Sequence, residues 1–168
     1  MTKIGGPQTG ETPNIPMEEL SNLITFAKFS RADAMKLADI TIAKNKMVKE
    51  QFGISFAVII KLYGQIVFQY FPEGTSAFNL AWMEKKIKTV ELMGTSTMAF
   101  WAGMEAAGHK SVQEMLPVSD IVMCGGGYPI KLENGEIAGV LAVSGPGDQN
   151  DHYFATECME ELKIASKN

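Results

Sequence analysis

The chain lacks most of the residues that mark a dedicated chemistry. It has two cysteines and two histidines in 168 residues. Cys124 and Cys158 sit in apolar contexts, far apart and outside any C-x-x-C, so they read as buried thiols and suggest no disulfide framework. The expected compartment is cytoplasmic. A structural zinc site needs four Cys or His ligands, and two scattered residues of each kind do not supply it. A basic surplus is also missing. The net charge of -4 gives no footing for nucleic acid. No apolar run is long enough to span a bilayer, so no membrane role is expected. The polar start MTKIGGPQTGETPNIP has no apolar core of the secretory kind. No G-x-S-x-G elbow is present, because the serine of V-S-G-P-G follows valine. The triplet Gly125-Gly126-Gly127 leads into Tyr128-Pro129-Ile130, which reads as a strand, whereas a dinucleotide fingerprint must open a helix.

What is present is an ordinary globular composition, 46% hydrophobic and 20% charged. It suits one domain over residues 17–168, preceded by a flexible arm over residues 1–16 that is rich in glycine, proline and polar residues. The organising stretch runs from Gly125 to His152. Asn134-Gly135 predicts a type I′ hairpin turn with φ > 0 at both central residues. The flanking strands, Tyr128–Leu132 and Glu136–Ser144, are then antiparallel. The second is apolar on both faces: Ile137, Leu141 and Val143 point one way, Ala138, Val140 and Ala142 the other, as in a central strand. After Gly145-Pro146-Gly147, a terminal helix is predicted over Asp148–Ser166. Asp148 and Asp151 are expected to satisfy its free N–H groups.

A weak helical pattern covers Met17–Phe29. Ser30 and Asp33 form a capping-box start for a helix that stops at Gly53. Ser55–Lys61 and Gln65–Tyr70 read as a hairpin around Tyr63-Gly64. Ser76 caps a helix over Ala77–Met93, and a shorter helix ends at Gly108. Ser111 and Glu114 resemble a second capping box. Asp120–Cys124 reads as a short strand. About five strands with two hairpin signals make an α+β fold, an antiparallel sheet with helices packed on it.

Lys86 is the anomaly of the third long segment. It falls on or beside the apolar stripe of Met83, Ile87 and Val90. One reading is a snorkelling stem with its amine in water. The other is a cation aimed at a pocket, binding a carboxylate. An ammonium in a dry core needs a partner, and Asp151 is the expected one. His109, in a polar loop, reads as surface. His152 lies in the first turn of the terminal helix, where the dipole favours the neutral ring. It is either bonded to the adjacent loop or available as a ligand, and one histidine is enough for an axial heme bond. The eleven methionines, spread over the helices, read as core filler.

Three segments together carry a resemblance. GTSAFNLAWMEKK follows the pattern G-T-x-x-D-N-x-x-W-x-x-R-K at Gly74, Thr75, Asn79, Trp82 and Lys86, with Phe78 in place of aspartate and Lys85 in place of arginine. GGGYPI follows G-G-x-F-P-I, with Tyr128 for phenylalanine. VSGPGDQNDH keeps Val143, Ser144, Gly145, Asp151 and His152 of a V-S-G-…-D-H pattern. From about Ser30 onward the chain resembles the HbpS- and GlcG-like heme-degrading domain superfamily, nearest to its uncharacterised branch. The resemblance implies a profilin-like α+β fold with helices on both faces of the sheet, a homo-oligomer, and a link to heme, corrinoid or other small-ligand binding.

The function read from this is a binding domain ahead of an enzyme, with heme or a related tetrapyrrole as cofactor or ligand. Lys86, Gly125, Gly126, Gly127, Tyr128, Ser144, Gly145, Asp151 and His152 would line the site. Lys86 would pair with a propionate, and His152 would approach the metal as axial ligand. Two other readings stay open: an oligomeric protein-interaction module, and a hydrolase or transferase that uses Ser144 and His152.

Overall fold

The computed structural model describes residues 1–6 and 13–168. In chain order these form α1 (Met17–Ser21), β1 (Thr25–Phe26), α2 (Arg31–Phe52), β2 (Ala57–Leu62), β3 (Gln65–Tyr70), α3 (Ala77–Met93), α4 (Thr97–Ala106), a 3-10 turn (Val112–Glu114), β4 (Gly127–Leu132), β5 (Ile137–Ser144) and α5 (Asp148–Ala165). The five strands make one sheet in the order β1-β4-β5-β2-β3. The four longer strands pair antiparallel, and the two-residue β1 joins the edge in parallel.

The helices that set the architecture start and stop where their caps predict. Ser30 and Asp33 complete a capping box on α2, and Gly53 ends it in the left-handed region at φ 69°. Ser76 and Asn79 do the same for α3, with Gly94 at φ 69° as its stop. On one face of the sheet, Val58, Ile60, Leu141 and Val143 pack against Leu37 of α2 and Phe154 of α5. On the other face, Ala57, Ile59, Val140 and Ala142 pack under Met83, Ile87 and Val90 of α3. The small side chains of the second face let α3 lie close to the strands.

Several local expectations are corrected. The pattern over Met17–Phe29 gives a helix that ends at Ser21 and then β1, since Thr25 and Phe26 pair with Lys131 and Leu132. Asp120–Cys124 forms no strand; its Val122 N–H is taken by Thr89 Oγ1 at 3.0 Å instead of by a neighbouring strand. The type I′ geometry belongs to Tyr63-Gly64, at φ 46° and 80°, and not to Asn134-Gly135. In the latter hairpin Gly135 N–H donates to the Leu132 carbonyl at 2.9 Å, and only Gly135 has positive φ, 93°. This is a three-residue loop with a bulge. The β4–β5 register slips between Ile130 and Lys131 of β4, which face Gly139 and Ile137 and leave Ala138 of β5 as the extra residue. Ala138 therefore joins the cluster of Leu141, not that of Val140. Ser111 makes no side-chain cap. Glu114 accepts the Lys110 N–H at 3.2 Å and sits beside His109 Nδ1 at 3.4 Å, in an exposed corner.

Residues 7–12 of the expected arm lie outside the described residues. On either side of them Ile4 and Ile15 are buried. Glu157 of α5 accepts the Thr2 hydroxyl at 2.9 Å and the Lys3 N–H at 2.8 Å, and Asn150 accepts the Gly5 N–H at 3.0 Å.

Candidate functional site

The site begins with a helical spacing. Asn79, Trp82 and Lys86 stand at i, i+3 and i+7 on α3, so they share one stripe that faces the ends of β5 and α5. Asn79 secures the start of the helix twice. Its Oδ1 accepts the Ser76 N–H at 2.9 Å, and its Nδ2 donates to Ser144 Oγ at 3.1 Å. Ser144 pairs with Ala57 and so faces α3. Phe78 and Trp82 meet edge to face at 6.0 Å, with Phe78 69% exposed.

Lys86 ends below them, 2% exposed. Its Nζ donates to Asp151 Oδ2 at 2.9 Å and to the Val143 carbonyl at 2.8 Å. Asp151 Oδ1 accepts the Gly145 N–H at 2.7 Å. Of the two readings of Lys86, the amine in water is thus excluded. Burial alone would lower the Lys86 pKa, but the charge of Asp151 outweighs it and the amine is held above its ordinary value. Burial pushes the Asp151 carboxyl up to about 6 against the pull of Lys86 and Gly145, which leaves it ionised at neutral pH.

The glycine triplet is what admits this pair. Gly126 has φ 106°, and a Cβ there would strike the Val143 carbonyl and come within 2.8 Å of Asp151 Cβ and 3.0 Å of Lys86 Nζ. Gly125 and Gly127 have ordinary φ, but a Cβ on Gly125 would overlap the Asp148 carbonyl, and one on Gly127 would lie 2.6 Å from Thr97 Cγ2. All three positions exclude a side chain, one by conformation and space together, two by space. The aspartates do not cap their own helix as expected, since Gly147 precedes α5 with no side-chain cap. Asp148 Oδ1 accepts the Gly125 N–H at 3.0 Å, so both carboxylates bind glycine N–H groups of neighbouring loops.

Above the pair opens a cleft of about 280 Å³. Phe78, Trp82 and Met123 form its apolar wall, and Cys124, Ser144, Gly145, Asp148 and the Lys86–Asp151 pair its polar side. Burial pushes the Cys124 thiol up to about 12, so it is no thiolate at neutral pH.

Of the residues expected to form one site, Lys86, Ser144, Gly145 and Asp151 line this cleft; Gly125, Gly126 and Gly127 do not line it but pack against Asp148, Asp151 and Lys86. Tyr128 and His152 do not. Their rings, 6.4 Å apart, line a separate cavity of about 120 Å³ between α1 and α5. His152 follows Asp151 by one residue on a helix, a turn of roughly 100° about the axis. Burial pushes its pKa down to about 4. Ser144 and His152 are therefore not a nucleophile and base, and Ser144 Oγ is the partner of Asn79. Phe78, Asn79, Trp82, Met123, Cys124, Gly147 and Asp148 also line the cleft and lie outside the expected set. The stripe counted back from Lys86 would have found Asn79 and Trp82.

Among the described residues no group of three or more His, Cys, Asp and Glu side chains could hold a metal ion. No helix among them is long and apolar enough to cross a membrane.

Fold and cleft define a single-sheet α+β domain with a hollow of about 280 Å³ between the first half of α3, the end of β5 and the start of α5. Residues 29–160 match the family described as "Haem degrading protein HbpS-like", and the chain belongs to that HbpS-like family. A UPF0303 protein of Yersinia enterocolitica is 33% identical over 148 residues, 86% of this chain and 84% of its own. Two crystal structures share the fold. Ybr137w has a TM-score of 0.79 at 24% identity, covering 92% of this chain and 91% of its own. The PduOC:heme complex has a TM-score of 0.63 at 20% identity, covering 79% and 93%.

Proposed function

We propose that this chain is a small-ligand-binding domain without catalysis of its own, and that its ligand is heme or a related flat tetrapyrrole or corrinoid. The observation that carries the reading is the cleft over Lys86 and Asp151. Its wall is apolar and aromatic, Lys86 and Asp151 are paired with each other within the protein, and Asp148 accepts the Gly125 N–H. Such a surface binds a ring, and its one buried ion pair is taken up inside the protein. Membership of the HbpS-like family and the heme held by PduOC on the same fold support the choice of ligand.

The residues fit the ring and not the coordination expected from the sequence. Phe78, Trp82 and Met123 present apolar surface to a flat face. A cleft of about 280 Å³ is smaller than the ~300–1,000 Å³ of usual ligand pockets, so a tetrapyrrole lies across its mouth. Lys86 is taken by Asp151 and is not free for a propionate, and His152 faces another cavity and is not an axial ligand here.

A homo-oligomer belongs to the same proposal. The sheet ends in β3, whose outer edge is unpaired among the described residues, and Tyr63 and Ile66 beside it are 58% and 55% exposed. Titrating the full chain with hemin in the Soret region tests the ligand. A band that shifts and saturates at one hemin per chain supports it. A spectrum that stays that of free hemin overturns it.

A further inference from the structure

His152 has no work in the cleft, yet among the described residues it is the one buried polar side chain with a nitrogen left over. The residue is 3% exposed, and its Nδ1 has no hydrogen-bond partner among the described residues. Buried ring nitrogens are normally satisfied by protein or by an occupant. The ring lines the cavity of about 120 Å³ formed with Lys3, Glu19, Tyr128, Thr156 and Glu160. At ~30 Å³ per water this space holds about four waters, or one organic molecule of about five to seven non-hydrogen atoms. It is too small for a tetrapyrrole.

The charge of the lining selects among small molecules. Lys3 and Glu19 neutralise each other at 2.8 Å, and Glu157 is paired with Lys44 at 3.2 Å. Glu160 on the same wall has no ion-pair partner among the described residues. The imidazole is held neutral by burial, so one of its nitrogens is an acceptor at neutral pH. The Met1 α-ammonium lies on the same wall, but among the described residues neither it nor Glu160 is in an ion pair. A histidine acceptor and a carboxylate without an ion-pair partner suit a donor with a positive charge.

We infer that this cavity is a second ligand site, separate from the cleft, for a small organic cation carrying an alkylammonium or amidinium group. An N–H of the cation donates to His152 Nδ1, and Glu160 balances its charge. An anion of the same size meets carboxylate on the wall. A neutral alcohol makes the histidine bond without the charge.

The test uses the full chain with nitrogen-15 histidine and three probes of matched size: n-butylammonium, 1-butanol and butyrate. The imidazole nitrogens of His152 are followed by NMR, with exposed His109 as the internal reference. Butylammonium moves the His152 Nδ1 resonance saturably, and butanol and butyrate bind at least about tenfold more weakly. Glu160→Gln, a surface change that leaves the fold intact, brings butylammonium to the level of butanol. No saturable movement with butylammonium means a cavity that holds water only and overturns the inference. Equal response to butyrate, or an unchanged response in Glu160→Gln, overturns it as well. None of these outcomes depends on hemin binding at the cleft.

Discussion

Asp151 and His152 are chain neighbours that serve different cavities. Asp151 reaches Lys86 Nζ at 2.9 Å under the cleft of Trp82, and His152 closes the cavity of Tyr128. The D-H pair of the V-S-G-…-D-H pattern is thus split by helix geometry into a structural clamp and a separate polar wall.

The clamp predicts a strong coupling. Breaking a buried ion pair from one side leaves an uncompensated charge and costs about 3–5 kcal/mol, whereas removing both charges costs much less than the sum. Lys86→Met should therefore cost little on an Asp151→Asn background and several kcal/mol on its own. Urea unfolding of the four proteins measures this. Additive effects would contradict the clamp.

The glycines predict a graded series. Gly135 has φ 93° but open space around its Cβ position, so Gly135→Ala carries only conformational strain, about 1 kcal/mol. Gly126→Ala adds overlap with the Val143 carbonyl and crowding of the ion pair, and should cost at least about 3 kcal/mol. Melting temperatures of the two variants should fall in that order.

His152 predicts a pH dependence. Its folded pKa of about 4 lies below the ordinary 6.5, so the unfolded chain binds the proton first on acidification. The contribution is complete above pH 6.5, falls as pH drops, and is lost by pH 4. Asp151, pushed up to about 6 from 3.8, acts with the opposite sign between those values. Comparison with His152→Gln isolates the histidine. Relative to that variant, the wild type should lose about 2 kcal/mol of stability between pH 7 and pH 4.5. A constant difference would show that the ring titrates normally.

The edge strand predicts association. The chain should scatter light as at least a dimer at micromolar concentration, and Ile66→Lys on the open edge of β3 should shift it toward monomer. A monomeric wild type refutes the proposed oligomer.

What the sequence revealed is what local chemistry controls. The caps of α2 and α3, the two-faced β5 and the need of Lys86 for a buried partner all follow from neighbours in the chain. Non-local pairings were hidden. β1 is two residues long and exists only because β4 offers a parallel edge. The Asn45 side chain, which accepts the Phe56 N–H at 2.8 Å and donates to its carbonyl at 3.1 Å, looks like any helix asparagine in sequence. The type I′ turn at Tyr63-Gly64 carries no local signal, since Tyr63 takes φ 46° in a tertiary setting where its hydroxyl donates to the Phe29 carbonyl at 2.9 Å. The side of α5 that His152 takes depended on where Asp151 was anchored, one residue earlier.

The central claim is that a flat ring binds at the aromatic wall above Lys86 and Asp151, without His152. Hemin affinity measured in parallel for wild type, Trp82→Ala and His152→Gln tests it most directly. The account predicts saturation at one hemin per chain, at least about tenfold weaker binding for Trp82→Ala, and an unchanged Soret spectrum for His152→Gln. Loss of the spectrum in His152→Gln with Trp82→Ala unaffected would contradict it.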